Sequence, residues 1–183
     1  MAMLSVFNLI TLDGFFKGKN EDISWHNFGE DEQQLADELS NRGNLLVFGR
    51  VTYQMMEKYW TSSDPEKNDP ITTRGMNASP KLVFSKTLER AEWKNTRLVK
   101  TNMADEIRNL KKQNGLDMTI LGSGQIVAQL SDLGLIDSYS ILLNPLAIGE
   151  GAHLFKGLTN KLELKFKSLK TMKSGNVLLN YQK

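Results

Sequence analysis

Two stretches of this 183-residue chain share a construction that suits anions: a buried apolar run, a glycine turn, then a helix. The first is Leu45 to Met56, LLVFGRVTYQMM, and the second is Met118 to Leu130, MTILGSGQIVAQL. A helix start leaves backbone N–H groups without internal partners, and the helix dipole favours negative charge there. Glycine before such a start lets a phosphate approach the backbone closely. Two such starts on one sheet could grip the two phosphate-bearing halves of a dinucleotide. The same turns also serve as tight connections in any α/β domain. Val127 stands where the G-x-G-x-x-G fingerprint would need its third glycine, so the ordinary Rossmann reading is weak.

Two further sites sharpen the anion reading. Arg50 follows Gly49 directly, where its guanidinium could offer a planar fork to a phosphate. Ser85-Lys86 follows the short buried strand Lys81 to Phe84, bringing a hydroxyl and an ammonium to another turn. Side by side at one sheet edge, these groups would make a pocket for a ribose 2′-phosphate and favour NADPH over NADH. As solvated surface charges they would do nothing of the kind.

The other candidates are single residues. Asp13 sits in an Asp13-Gly14 turn, where it is either a polar group near a reacting carbon or simply the turn residue. Trp25 and His26 precede the first helix, where a pocket wall or plain packing would use them. His26 and His153 are the only histidines, at no metal-ligand spacing, and cysteine is absent, so no metal is expected. Glu150, between two glycines, reads as a turn residue.

The elements that must carry these residues follow from hydrophobic period and turn chemistry. Met3 to Ile10 reads as a first strand, and Glu30 to Leu39 as an amphipathic helix through Leu35, Ala36 and Leu39. Asn44 to Phe48 is a buried strand leading to a helix over Thr52 to Lys58. Thr61 to Pro80 holds three of the four prolines and reads as a loop excursion. Lys81 to Phe84 is a strand, Met103 to Gln113 a helix stopped near Asn114-Gly115, Asp117 to Leu121 a strand, and Gln125 to Leu133 a helix. Asp137 to Leu143 is a strand, followed by the turn-rich segment Asn144 to Gly151. Leu162, Leu164 and Phe166 alternate with charges as a half-exposed strand would. Ser174-Gly175-Asn176 then turns a hairpin into Val177 to Tyr181. The pattern predicts an α/β fold: a mostly parallel mixed sheet, helices on both faces and an antiparallel hairpin at the C-terminus, all in one domain spanning 1–183.

Bulk properties narrow the partners. A net charge of +2 is too balanced to argue for nucleic acid, and the lysines from Lys161 to Lys173 read as solvated strand faces. No apolar run is long enough to span a bilayer, and the N-terminal stretch lacks the marks of a signal peptide. A cysteine-free chain suits a reducing compartment, so the cytoplasm is the default expectation.

Taken in order, several motifs carry a family likeness. They are Thr11-Leu12-Asp13-Gly14, Trp25 before a helix, Phe48 to Tyr53, Val83 to Lys86, Ile120 to Gly124 and Asn144 to Gly151. The chain resembles the dihydrofolate reductase-like superfamily along essentially its whole length. The branch it resembles most is the reductase (RibD C-terminal-like) domain of the bifunctional riboflavin-biosynthesis deaminase–reductase. The resemblance implies a three-layer α/β/α domain that binds NADPH, with homodimers common in the branch. It implies a reductase of a small heterocyclic substrate, or else a non-catalytic nucleotide-binding or regulatory dimer that keeps the fold. By position, Gly49, Arg50, Thr52 and Tyr53 would lie along the cofactor's phosphates, and Ser85 and Lys86 would approach the 2′-phosphate. Leu121, Gly122, Ser123, Gly124, Gln125 and Ile126 would cradle the pyrophosphate and nicotinamide side. Leu9 would offer backbone to the nicotinamide, and Gly14 would begin a loop over it. Asp13 and Asp31 would be the catalytic acids, with Glu30 and Trp25 toward the substrate. The accompanying deaminase domain, with its Cys/His zinc ligands, has no counterpart in this sequence.

Overall fold

The computed structural model describes residues 1–62, 70–113 and 115–183. Strand β1 (Leu4–Thr11) leads through β2 (Phe15–Lys17) to helix α1 (Glu30–Asn41). Then come β3 (Leu45–Gly49), α2 (Arg50–Trp60), α3 (Pro70–Ala78), β4 (Lys81–Phe84) and β5 (Thr96–Val99). Helix α4 (Met103–Lys112), β6 (Met118–Leu121), α5 (Gly124–Asp132) and β7 (Ser138–Asn144) follow. The chain closes with β8 (Ala152–His153), β9 (Lys165–Thr171) and β10 (Val177–Gln182).

Eight strands form one sheet in the order β5-β4-β3-β6-β1-β7-β10-β9. The six strands from β5 to β7 run parallel. Only β10 and β9 run against their neighbours. The small pair β2–β8 lies apart from this sheet. The mostly parallel sheet with a closing hairpin is as expected.

The period-2 alternation of the strands decides which helix covers which face. Leu4 and Val6 of β1, Val47 of β3 and Ile120 of β6 point to one side and pack with Ile107 of α4 and Val127 and Leu130 of α5. Leu46 and Phe48 of β3 and Val83 of β4 point to the other side, against Tyr53 of α2 and Met76 of α3. Leu35 of α1 joins Phe7, Leu9, Leu142 and Leu178 on that same side. The result is three layers, α1–α3 over one face and α4–α5 over the other.

The structure differs from the expected elements at three places. The Thr61 to Pro80 segment is not all loop, because Pro70–Ala78 is helical; residues 63–69 lie outside the described residues. Proline suits a first helical position, and Gly75 lets α3 pack against α1, since a Cβ there would meet Ser40 Cβ at 2.6 Å. Strand β5 went unread because its burial is shallow and Arg97 interrupts it. The strand expected from Leu162 begins only at Lys165, and all seven of its residues are exposed. Leu162 and Leu164 instead pack against the α4–α5 core without joining the ladder. Of the Asn114-Gly115 stop signal, Asn114 lies outside the described residues.

Lys81 is the core's unusual member. It is 1% exposed, and its Nζ donates to the carbonyls of Ser79 (2.8 Å), Lys94 (3.2 Å) and Asn77 (3.3 Å) while lying 4.3 Å from the Trp93 ring. Burial pushes its ammonium down to about 8.

Candidate functional site

Strands β3 and β6 are neighbours and parallel, yet the helix after β3 crosses one face of the sheet and the helix after β6 crosses the other. Such a switch point opens a crevice beyond the carboxyl ends of the strands, where ligands of α/β proteins bind. A cleft of about 910 Å³ lies there. It runs past the ends of β3, β4 and β5 and the first turns of α2, α4 and α5 to the β2–β8 pair.

The two glycine turns meet at its floor. The Gly49 amide donates to Ser123 Oγ at 2.7 Å, and the Ser123 amide donates to Thr52 Oγ1 at 3.1 Å. Ser123 is in the left-handed region at φ +59°, and these reciprocal bonds hold it there. The glycines are needed, but for a reason the sequence did not disclose. A Cβ on Gly122 would meet Thr52 Cγ2 at 2.8 Å, and one on Gly124 would meet the Leu154 carbonyl and the Phe16 ring, each at 3.0 Å. Protein contacts, not a phosphate, demand glycine at these places. What the turns offer a ligand is the helix-start amides of α2 and α5 that lack an intrahelical acceptor, which leaves out Ile126, whose amide donates to the Ser123 carbonyl at 2.8 Å.

Of the residues expected at the cofactor, Gly49, Arg50, Thr52, Ser85, Lys86, Ser123, Gly124, Gln125 and Ile126 line the cleft. Tyr53 does not. It is 1% exposed on the far side of α2, its hydroxyl accepting the Trp93 amide at 2.9 Å and donating to Glu57. Leu9 turns toward α1, and Leu121 packs into the α2–α3 core. Gly122 stands behind Ser123, and Gly14 offers its carbonyl to His153. Arg50 Nη1 donates to Gln54 Oε1 at 3.0 Å, one turn along α2, and the residue also borders a neighbouring hollow of about 550 Å³.

The acids expected to act lie elsewhere. Asp13 takes a hydrogen bond from Thr11 Oγ1 at 2.5 Å and from the amides of Gly149 (2.8 Å) and Ile148 (3.1 Å). The Thr11 bond and these amides hold its carboxyl below the usual range. That makes it a clasp for the Asn144 to Gly151 loop and a poor proton donor. Asp31 accepts the Lys173 amide at 2.8 Å, and Glu30 pairs with Lys173 Nζ at 3.2 Å in solvent, so both fasten α1 to the β9–β10 turn. Trp25 meets His26 edge-on at 4.4 Å, away from the cleft. Burial drives the His26 imidazole down to about 4, against a weaker pull from Asp22.

Several cleft residues escaped the sequence reading. Lys100, Thr101 and Asn102 form a third strand-to-helix turn, visible only once β5 is recognised. Phe16, Lys17, His153 and Lys156 close the opposite end. The lining thus carries Arg50, Lys17, Lys86, Lys100 and Lys156 and, among the described residues, no carboxylate. Such a wall attracts anions. Among the described residues no helix is long and apolar enough to cross a membrane.

Known proteins of similar sequence and shape share this frame. The uncharacterised Bacillus subtilis protein YyaP is 28% identical over 176 residues, covering 94% of this chain and 90% of that protein. A Shewanella sp. PV-4 protein, whose place in riboflavin biosynthesis is itself provisional, superposes with a TM-score of 0.76 at 22% identity over 100% of this chain and 98% of its own. The Thermotoga maritima diaminohydroxyphosphoribosylaminopyrimidine deaminase/5-amino-6-(5-phosphoribosylamino)uracil reductase superposes with a TM-score of 0.70 at 14% identity, over 99% of this chain and 56% of that one. The family model for the RibD C-terminal domain matches residues 2–178. With the dihydrofolate reductase-like layering already described, this chain belongs to the RibD C-terminal domain family.

Proposed function

We propose that this protein is an NADPH-dependent reductase of a small heterocyclic substrate, of the kind that 5-amino-6-(5-phosphoribosylamino)uracil or dihydrofolate represents, working as a cytoplasmic homodimer. The observation that carries the reading is the switch-point cleft, cationic and, among the described residues, without a lining carboxylate, with the first turns of α2 and α5 opening into it. A phosphorylated dinucleotide fits the donor set. Arg50 and Lys86 suit a 2′-phosphate, and the first-turn amides of α2 and α5 suit the pyrophosphate. When bound, the nicotinamide supplies the hydride; the chain orients it and excludes water. The family supports the reductase chemistry, since a relative of the same fold is named for it.

A second reading has one observation in its favour. Asp13 is committed to backbone amides away from the cleft, and among the described residues no carboxylate lines the cleft, as suits a nucleotide-binding regulator. Loss of NADPH absorbance separates the two. With 5-amino-6-(5-phosphoribosylamino)uracil or dihydrofolate present, the reductase reading predicts steady oxidation abolished by omitting either partner. Tight NADPH binding with no oxidation of either substrate would favour the regulator.

A further inference from the structure

The two edges of the main sheet differ. At one, β5 is four residues long, and its Arg97 is tied to Glu106 of α4. At the other, β9 is seven residues long, all of them exposed, with neither proline nor glycine among them. Phe166 and Leu169 are each 56% exposed. A long uncovered edge of this kind is a ready template for another strand.

The register with β10 fixes which way each side chain faces. Leu169 stands opposite Leu179 and Phe166 opposite Tyr181. Leu179 and Tyr181 pack on the α4–α5 core, so Leu169 and Phe166 face that side, as does Thr171 opposite Val177. Ser168, opposite Asn180, and Lys170, opposite Leu178, face the α1 side. Strict alternation would set Phe166 and Leu169 on opposite faces. The shift between Asn180 and Tyr181 leaves Lys167 without a partner on β10 and brings the two apolar side chains to one face.

We propose that β9 pairs antiparallel with β9 of a second copy of this chain, about a two-fold axis through Leu169, so that one sheet runs through both molecules. This gives a surface to the homodimer of the proposed function and rests on that part of it. A two-fold axis through a residue sets that residue against itself, and its neighbours pair outward in step. Opposed residues must face the same side, and like charges directly opposite destabilise the pair. An axis between two residues opposes the wrong faces. An axis through Lys165, Lys167 or Lys170 sets lysine on lysine, and one through Phe166 sets Lys165 on Lys167. An axis through Ser168 sets Phe166 on Lys170, which face opposite sides. One through Thr171, the last residue of the strand, throws half the pairing onto the 172–176 turn. The Leu169 axis escapes all of these. There Leu169 meets Leu169, Lys170 meets Ser168 and Lys167 meets Thr171, an ammonium against a hydroxyl each time. The lysines do not seal this edge; they select one register.

The sequence makes the register testable. The chain has no cysteine, so a single introduced one can form a disulfide only between copies. Directly opposite side chains of an antiparallel pair have Cβ atoms about 4.5–5.5 Å apart, which small adjustments bring to disulfide distance. Under mild oxidation Leu169→Cys should cross-link almost completely. Ser168→Cys and Lys170→Cys should cross-link poorly alone and well when mixed. In sedimentation equilibrium the wild-type chain should be a dimer. Leu169→Lys, which removes the apolar pair and puts like charges on the axis, should weaken that dimer at least about tenfold. Its far-ultraviolet circular dichroism should match the wild type, since residue 169 is exposed within each copy. Self-cross-linking of Ser168→Cys as ready as that of Leu169→Cys would overturn the register. A wild-type dimer that neither cross-links through Leu169→Cys nor weakens in Leu169→Lys would remove β9 as the interface and leave the homodimer standing. A wild-type chain that stays monomeric at every concentration would remove the homodimer itself.

Discussion

The double variant Arg50→Ala/Lys86→Ala is expected to bind NADPH about 10²-fold more weakly than the wild type while its NADH affinity changes less than about threefold. Both side chains line the cleft from neighbouring strand ends, Arg50 after β3 and Lys86 after β4, and those strands pair in parallel through Phe48–Val83 and Gly49–Phe84. Adjacent parallel strands thus deliver a fork and a point charge to one spot. A hydrogen bond to a charged group contributes about 1.5–3 kcal/mol, and both side chains are exposed, so the low end applies. Two such bonds give about 3 kcal/mol, or about two orders of magnitude in affinity. NADH lacks the 2′-phosphate and has nothing to lose there. The comparison must be made at one ionic strength, because salt screens exposed charges. Lys100, the cation that sequence reading missed, borders the same wall; a residual preference for NADPH in the double variant would be traced to it.

The largest expected effect on stability lies at a residue the sequence did not single out. Glu32→Ala should lower the unfolding free energy by about 3–5 kcal/mol, since each buried polar group left unpaired costs about 1–3 kcal/mol. Glu32 is 1% exposed in the first turn of α1. Its carboxylate accepts the Gly29 amide at 2.8 Å and Asn176 Nδ2 at 2.7 Å, and Ser174 Oγ donates to it as well. It therefore caps α1 and ties it to the β9–β10 turn. Asn176 is itself wholly buried and would lose a partner. Burial alone would raise this carboxyl, but the Ser174, Gly29 and Asn176 bonds outweigh it and hold it below the ordinary 4.5. A depressed folded value means the contribution is complete above the unfolded value and is lost as pH falls through the folded one. Urea unfolding should thus show a constant gap between wild type and variant above about pH 5 that narrows in acid. Equal midpoints at pH 7 would contradict this role.

The contrast between Glu32 and its neighbours shows what a sequence discloses. Glu30, Asp31 and Glu32 are equivalent as first-turn acids, favoured there by the helix dipole. Which of them is buried depends on the β9–β10 turn, some 140 residues later, and no local pattern carries that. The parallel strands were readable because burial on both faces leaves short continuous apolar runs, as at Leu45 to Phe48 and Leu82 to Phe84. β5 lacks such a run, and with it went the Lys100 turn. The prolines marked α3 as loop although Pro70 opens the helix, and Gly75 makes room in it for Ser40. At the site, Arg50, Ser85, Lys86 and the Ser123 turn were readable as residues at strand ends, and they line the cleft. The reason for the glycines was not legible, because the atoms they accommodate, Thr52 Cγ2 and the Leu154 carbonyl, come from elements that only folding brings near.

Calorimetric titration of the wild-type protein with NADPH and with NADH tests the central claim most directly. The account predicts a one-to-one complex per chain with NADPH, tighter than that with NADH by at least about tenfold. Absence of heat or saturation with both nucleotides, or equal affinities for the two, would contradict it.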